Sequence, residues 1–255
     1  DLTYTADIGV LTVPSSGSAT ISAAGKSLKE VLAGILAKEK NPETTQPSLS
    51  VKLNEAGAKE VGTSITPTYS TTFNAGSYSY GPATGVTATS YSISDTNSST
   101  ATTASGSLTA FTVEDGTNYK VSATVNYGDG AIPKTNIGNN YAEGQIKAGS
   151  KSATSSTITG YRNTFYGSVT DKSGEITSDV IRGLAGKKNG SISAGNTFKA
   201  AEAVGAMRVI IALPTPRTCT SIKDENGLNA EALSAFTKIT VSVEGANGYT
   251  AKDYN

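Results

Sequence analysis

The chain has 255 residues, with 21 basic and 21 acidic side chains, and this balance provides no basic surface for nucleic acid or for an anionic membrane. Histidine is absent, which removes the usual general base and the commonest metal ligand. The single cysteine, Cys219, excludes an internal disulfide framework and a thiolate zinc cluster. We therefore predict a protein without cofactors or metals that binds neither nucleic acid nor membrane.

The first segment, 1–46, predicts strand followed by helix. Residues 2–13 have the pattern of one or two short strands, and residues 27–40 predict an amphipathic helix. Ser27 and Glu30 have the spacing of a capping box. One helical face carries the apolar residues Leu28, Val31, Leu32, Ile35 and Leu36. We expect this face to be buried within the chain, with docking on a neighbouring subunit as the alternative.

From residue 47 to residue 128 the apolar period changes to two. Leu49, Val51 and Leu53 alternate with polar residues, and residues 119–127 repeat the pattern. Several short strands with Gly, Asn and Asp turns between them predict an immunoglobulin-like β-sandwich. The fold class that we predict is therefore mainly β.

Tyrosines within the predicted sandwich have two possible roles. As packing residues they fill the sandwich, which is the commoner role of aromatic residues in strands. As an exposed patch they stack on sugars or contact another subunit. The tyrosines concerned are Tyr69, Tyr78, Tyr80 and Tyr91.

The segment 129–160 loses all periodicity, so we predict a linker or an arm that orders on assembly. A second β-rich domain is predicted over 161–255. It should contain strands at 161–169, 207–214 and 238–245, a short helix capped by Ser178, further helical turns near 229–236, and a hairpin turn at Asn247-Gly248. The opening on Asp1 rather than Met is compatible with a removed leader or with a chain that begins further upstream, and the end at Asn255 has no obvious cap.

Residues that carry chemistry are few, and we predict that the chain is not an enzyme. The acid pairs Glu114-Asp115 and Asp224-Glu225 lie in polar turns, where carboxylates are usually solvated. Arg162 and Arg182 either hold carboxylates across an interface or are solvated. Cys219 is expected to be half-buried and inert.

Several strings of the sequence resemble uncharacterised structural proteins of tailed bacteriophages, of the kind found in gut phage genomes. They include "GKSLKEVLAGILAKEKNP", "EVGTSITPTYSTTFNAGSYSYGPATGVTA", "VEDGTNYKVSATVNYGDGAIPKTNIG", "YRNTFYG" and "VEGANGYTAKDY". The resemblance spans nearly the whole chain in the expected order. It implies an immunoglobulin-like component of the virion, such as a fibre or appendage of the tail or head.

The expected function is therefore a structural one within the virion, through contacts with copies of the same chain and with other virion proteins. The alternative is a carbohydrate-binding adhesin of a phage or bacterial surface, with a host surface glycan as partner and the four tyrosines as its stacking platform.

Overall fold

The computed structural model describes residues 2–4, 19–21, 24–36, 39–82, 84–189, 208–224, 228–249 and 252–255. The fold is mainly β and consists of many small, largely antiparallel sheets, which confirms the predicted class. Within this described part of the chain, no helix is long and apolar enough to cross a membrane.

The described residues of the amino-terminal segment form one strand pair and one helix. β1 (Leu2–Tyr4) pairs antiparallel with β2 (Ala19–Ile21), whereas residues 5–18 lie outside the described residues. Helix α1 covers Leu28–Leu36. The predicted capping box is present, because Glu30 Oε2 accepts from the Ser27 N–H at 2.7 Å and Ser27 Oγ accepts from the Glu30 N–H at 3.3 Å.

The predicted extension of this helix to residue 40 is wrong. Glu39 and Lys40 lie outside it because they bond to another loop: the Lys40 N–H donates to Asn136 Oδ1 at 2.7 Å, and Asn139 Nδ2 donates to Glu39 Oε1 at 2.8 Å. Leu28 is 74% exposed, so the predicted internal burial of the apolar face does not hold at the start of the helix.

The described residues between 44 and 127 form twelve strands. They are β3 (Thr44–Thr45), β4 (Ser48–Leu53), β5 (Gly57–Glu60), β6 (Ser64–Ile65), β7 (Thr68–Asn74), β8 (Ser77–Tyr78), β9 (Ala88–Asp95), β10 (Thr100–Ala101), β11 (Ser105–Ser107), β12 (Phe111–Thr112), β13 (Asn118–Tyr119) and β14 (Val121–Tyr127). Two of the smallest sheets, β3–β8 and β12–β6, are single strand pairs.

The two larger sheets of this region face each other across the main core. One has the strand order β11–β7–β4, and the other has the order β10–β9–β14–β15, where β15 is Gly149–Thr154. Buried side chains between them confirm the predicted period-two pattern, most clearly in β14, where every second residue from Val121 to Tyr127 is buried. The core consists of Leu53, Ile65, Tyr69, Ile93, Leu108, Val113, Tyr119, Val121, Ala123 and Ile158.

The prediction of a linker or arm over 129–160 is wrong. β15 pairs antiparallel with β14 over its whole length, and β16 (Ile158–Tyr161) pairs parallel with β5 and antiparallel with β13. A 3₁₀ turn covers Ala142–Gly144, and Ile146 is buried beside Tyr78. The residues of β15 are Gly, Ser, Lys, Ser, Ala and Thr, so the strand is held by backbone pairing and carries no apolar signal.

The carboxyl-terminal region forms a second, smaller core. Sheet β18–β17–β19 packs with helix α2 (Ser178–Arg182) and the hairpin β22–β23 around Phe165, Ile181 and Tyr254. The strands among the described residues of this region are β17 (Asn163–Val169), β18 (Gly186–Asn189), β19 (Arg208–Ala212), β20 (Lys223–Asp224), β21 (Ala230–Glu231), β22 (Val241–Val243) and β23 (Lys252–Tyr254).

Local details of this region differ from the prediction. The cap of α2 is Thr177, whose Oγ1 accepts from the Val180 N–H, whereas Ser178 Oγ accepts from the Glu244 N–H. Near 229–236 the helical content is a single 3₁₀ turn, Leu233–Ala235. The predicted hairpin turn is present between β22 and β23, with φ of 55° at Asn247 and 69° at Gly248.

Candidate functional site: a hydroxyl face and a cationic cleft

Two of the four tyrosines predicted to contact a glycan or a subunit are buried. Tyr69 is 2% exposed and donates its O–H to the Thr103 carbonyl at 3.0 Å. Tyr78 is 8% exposed, and its hydroxyl accepts from the Ile146 N–H at 3.0 Å. Buried tyrosines normally satisfy the hydroxyl in this way. Tyr69 and Tyr78 therefore have the first of the two roles predicted for the tyrosines, packing within the fold, and neither ring is exposed for stacking on a ligand.

The other two tyrosines are more accessible. Tyr80 is 37% exposed and follows β8. Tyr91 is half-buried in β9, opposite Val125 of β14, on the side of the sheet that faces the core. Of the four, Tyr80 is therefore the one whose ring is most open to a partner.

The outer surface of the sheet β10–β9–β14–β15 carries short, uncharged polar side chains. Alternate residues of three adjacent strands point away from the core, and we call the set the hydroxyl face. Its nine members are Ser90, Ser92, Ser94, Ser122, Thr124, Asn126, Ser150, Ser152 and Thr154. Thr100 of β10 extends it by pairing with Ser94.

The strand register places these side chains in rows that cross the sheet. Each row takes one residue from β9, one from β14 and one from β15: the rows are Ser94–Ser122–Thr154, Ser92–Thr124–Ser152 and Ser90–Asn126–Ser150. Hydrogen bonds run within each row, at 3.3 Å between Ser122 and Thr154, 2.8 Å between Thr124 and Ser152, and 3.0 Å from Asn126 to Ser90. The grid measures roughly 10 Å across the strands and 14 Å along them from standard strand spacings.

The hydroxyl face itself carries no charged side chain, because Asp95 of β9 and Lys151 of β15 alternate with its members and pair with the core-facing Val121 and Val125. The first charged side chain along β14 is Lys120, which immediately precedes the strand. The opposite sheet also carries hydroxyls outward, but Lys52 of β4 lies among them. The grid could have been read from the sequence, since "SYSIS", "SATVN" and "SKSAT" share one spacing, but only the register shows that they lie side by side.

A cleft of about 290 Å³ lies where the two β regions meet. It is lined by three cations, Arg162, Arg217 and Lys252, and by one carboxylate, Asp115, and we call it the cationic cleft. Tyr161 and Pro214 contribute uncharged wall. Asp115 lies in the turn between β12 and β13, Arg162 lies between β16 and β17, and Lys252 begins β23. Residues far apart in the chain thus converge.

Asp115 joins two of the cations in the cleft. Its Oδ2 accepts from Arg162 Nε at 3.0 Å and lies 2.9 Å from Lys252 Nζ. Burial alone would raise the pKa of Asp115, but the hydrogen bonds from Lys252 and Arg162 outweigh burial and hold the pKa below its ordinary value. The predicted acid pair Glu114-Asp115 is not a paired-carboxylate site, because Glu114 instead accepts from the Tyr249 hydroxyl at 2.9 Å.

Arg162 is the most deeply placed cation of the cleft. Its side chain is 8% exposed, and its Nη1 is shielded from solvent without a hydrogen-bond partner. Arg182 makes a comparable contact elsewhere between the two regions, with Nη1 2.9 Å from Glu60 Oε1. Two roles were predicted for these arginines, holding a carboxylate across an interface or being solvated. Arg162 and Arg182 both have the first role, because each holds a carboxylate across an interface inside the chain.

Cys219 is half-buried, with Sγ 3.4 Å from the Ser221 carbonyl oxygen. Glu225, the partner in the second predicted acid pair, lies outside the described residues. Among the residues that are described, no cluster of three or more His, Cys, Asp or Glu side chains is arranged to hold a metal ion.

Comparison of the chain with protein-family models, with curated proteins and with solved structures gives no match. The resemblance to phage structural proteins therefore stays a prediction, and so does the function that it implies. What the two surfaces can bind follows from their own charges and hydroxyl groups.

Proposed function

We propose that this chain is a non-enzymatic structural component of a bacteriophage virion, a fibre or appendage of the tail or head. It acts through assembly with copies of itself and with other virion proteins. Its first β region is an immunoglobulin-like module whose hydroxyl face is the assembly surface. The single observation that carries the assembly role is the charge-free grid of short polar side chains on one sheet.

The physical argument for assembly concerns the cost of removing water from the surface. A buried hydroxyl costs a few kcal/mol at most, and little when a partner returns the hydrogen bond, whereas an isolated buried charge costs far more. Short side chains also lose little conformational freedom when they are covered. A flat hydroxyl face can therefore be buried against another polar sheet or loop at small cost.

The grid is the centre of a contact rather than the whole of it. Stable protein–protein interfaces bury on the order of 800 Å² on each partner, which exceeds the area of the nine grid side chains. The neighbouring loops and Thr100 of β10 must contribute the rest. The phage-like strings support the virion as the place of assembly. The grid supports assembly through burial of an uncharged polar sheet surface.

A carbohydrate-binding adhesin is the second candidate, and one observation favours it. Tyr80 is 37% exposed and presents a ring that a sugar could cover. With Tyr69 and Tyr78 buried, this candidate depends on Tyr80 and the half-buried Tyr91. If a Tyr80→Ala, Tyr91→Ala double variant binds glycan as well as the unchanged chain does, the adhesin candidate is ruled out.

The assembly role is tested by placing a charge in the grid. Thr124→Lys puts an ammonium group at the centre of the middle row, and sedimentation equilibrium compares its self-association with that of the unchanged chain. We expect the dissociation constant to rise about tenfold or more, because the ammonium must be desolvated. Ser50→Lys is the matched control, an exposed strand residue on the outer face of the other sheet.

The self-association measurement can contradict the assigned assembly surface in two ways. A monomeric chain at every concentration, or equal weakening by Thr124→Lys and Ser50→Lys, would overturn the assigned surface. Circular dichroism and thermal unfolding confirm that both variants are folded. The virion itself is tested by immunogold labelling of phage particles with antibody to this chain: label on the tail or the head supports the proposal, and particles without label contradict it.

A further inference from the structure

The first β region has one side on which the last strand of each large sheet has no described outer neighbour. β15 ends one sheet and β4 ends the other, and the two strands lie next to each other across the core. We infer that the outer edge of β15 pairs antiparallel with β15 of a second copy of this chain, which joins the two four-stranded sheets into one. The inference rests on the self-assembly part of the proposed function and specifies a contact for it.

The outer edge of β15 presents a row of unpaired backbone groups. The Ser155 N–H donates to the Val121 carbonyl at 2.9 Å, and in an antiparallel pair every second residue bonds to the same neighbour. The backbone N–H and C=O groups of Ser150, Ser152 and Thr154 therefore point away from β14, and none of the described residues bonds to them. All three residues are exposed. Such a row is a template for pairing with another strand.

This edge is complementary to itself in one register. A two-fold axis through Ser152 places that residue opposite its counterpart, and it places Ser150 opposite Thr154 of the other copy. Each of these positions has an outward N–H and an outward C=O, so each facing pair exchanges two backbone hydrogen bonds. The contact is isologous, because the same strand serves both copies and the symmetry is closed.

Lys151 favours this register over the neighbouring one. It is the charged residue of β15, and its side chain lies on the core side of the sheet. An axis through Lys151 would place the two ammonium groups directly opposite each other, which is destabilising, and it would leave Thr154 facing a residue outside the partner strand. With the axis through Ser152, each Lys151 instead faces Ala153 of the other copy, whose small side chain leaves room for it.

Two neighbouring features favour a second copy of the chain as the partner. The row Ser92–Thr124–Ser152 continues into the same row of the other copy, so the two hydroxyl faces become one surface about twice as wide. Leu49 and Val51 of β4 pack against the core yet are only half-buried at this edge. A second copy brings its own β4 to the same side and covers part of this apolar surface, which adds to the area that the grid alone lacks.

The test is oxidative cross-linking of the full chain through single cysteines, with Cys219→Ser in every variant. Opposed residues of a hydrogen-bonded pair have Cα atoms about 5.5 Å apart, which a disulfide can span. Ser152→Cys lies on the two-fold axis and should form a covalent dimer on a non-reducing gel. Ser150→Cys and Thr154→Cys are matched controls on the same strand and face, each more than about 13 Å from its own counterpart. Neither should cross-link alone, whereas an equal mixture of the two should.

The cross-linking pattern is specific for the register. Absence of a covalent dimer with Ser152→Cys, or equal cross-linking by all three single-cysteine chains, would overturn the inference. Thr124→Lys separates this inference from the assembly surface, because it changes the face and leaves the edge of β15 intact. If Thr124→Lys weakens self-association while Ser152→Cys does not cross-link, the hydroxyl face stands and edge pairing falls. Cross-linking by Ser152→Cys together with phage particles that carry no immunogold label would keep edge pairing and remove the virion role.

Ser152→Pro provides a second measurement that needs no disulfide. Proline has no N–H, and the Ser152 N–H points away from β14, so the substitution removes no hydrogen bond of the β14–β15 pair. We expect the dissociation constant for self-association to rise about tenfold or more in sedimentation equilibrium. Ser152→Thr keeps the N–H and the hydroxyl and should associate as the unchanged chain does. Equal association of these two variants, both folded by circular dichroism, would contradict the pairing.

Discussion

Asp115 shows how a residue from a polar turn becomes a structural contact. In the sequence it stands beside Glu114 and before Gly116, in a context typical of solvated carboxylates. In the fold its Oδ2 lies 3.0 Å from Arg162 Nε and 2.9 Å from Lys252 Nζ. The two cations are 47 and 137 positions further along the chain, so no local pattern could have predicted them.

The lowered pKa of Asp115 makes a prediction for pH. A carboxylate whose pKa is lower in the folded state stabilises the fold above its ordinary pKa of 3.8, and this contribution is lost as the pH falls through the folded value. Asp115→Asn should therefore be less stable than the unchanged chain at pH 6. The difference in the free energy of unfolding should shrink as the pH falls below about 4. Urea unfolding across this pH range measures it.

The control for this prediction is Asp179→Asn, which changes an exposed carboxylate at the start of α2. A stability difference for Asp115→Asn that stays constant from pH 6 to pH 3 would contradict the role of its charge. In that case the lower stability of Asp115→Asn would come from changed packing or hydrogen bonding of the asparagine side chain, and not from loss of the negative charge.

The exposure of the four tyrosines likewise depends on contacts with residues that are distant in the chain. Tyr69, Tyr78, Tyr80 and Tyr91 look alike in sequence, each within a Ser- and Thr-rich stretch. Their exposure depends on which face of a strand they occupy and on what covers that face, which is a property of the sheets. Tyr69 lies in the main core and Tyr78 beside Ile146, which comes from a segment predicted to be a linker.

At the scale of elements, β15 and β16 are the largest departure from the prediction. The strand β15 has Ser, Lys and Thr where a hydrophobic pattern would need Val or Ile, so its pairing with β14 rests on the backbone ladder. β16 carries one strong apolar residue, Ile158, which is 0% exposed. A single buried residue is too little for a periodicity argument, although it is enough to anchor a strand.

Ile158→Ala tests whether this segment belongs to the folded unit. We expect a loss of about 2–5 kcal/mol in the free energy of unfolding, because a fully buried side chain leaves a cavity in the main core. Ile132→Ala is the matched control: it is the same substitution in the same segment, at a residue that is 40% exposed. It should cost less than about 1 kcal/mol.

Chemical denaturation at equilibrium measures both isoleucine variants. Similar small losses for the two would mean that 129–160 is only loosely attached, as the sequence pattern indicated. A large loss confined to Ile158→Ala would show that β16 is part of the core.

At the scale of the whole molecule, the two β regions touch through close backbone contacts as well as ion pairs. The Ala246 N–H donates to the Val61 carbonyl at 2.7 Å, beside Gly62. Gly62 has φ of 92°, and a Cβ there would collide with the Ala246 carbonyl oxygen and with Tyr249 Cβ. Glycine is needed at this position both for its backbone angle and for the close approach of the second region.

Gly62→Ala should therefore disrupt the junction between the regions. Its matched control is Gly116→Ala, which has φ of 76° but open space around the added Cβ. The control should cost about 1–2 kcal/mol from backbone strain alone. Gly62→Ala should cost about 1–3 kcal/mol more, because its added methyl group also overlaps atoms of the second region.

Calorimetry of the glycine variants reads out the coupling of the two regions. If the junction makes them one cooperative unit, the unchanged chain and Gly116→Ala unfold in one transition, and Gly62→Ala separates it into two. Equal stability of the two variants would mean that the close contact at Gly62 contributes nothing.

Features that depend on residues close together in the chain can be predicted from the sequence alone. The mainly β class follows from the period-two runs, the start of α1 follows from Ser27 and Glu30, and the hairpin turn follows from Asn247-Gly248. Each of these depends on the intrinsic preferences of residues a few positions apart, so a single sequence is sufficient to predict them.

The pairing of the strands and the side chains that meet between them are known only from the fold. The hydroxyl face needs three strands in one register, the cationic cleft needs residues from 115 to 252, and the burial of Tyr78 needs Ile146. These features depend on backbone hydrogen bonds and contacts between distant parts of the chain. Pairing through the backbone is nearly independent of side-chain identity, so the residues of each strand do not reveal their partners.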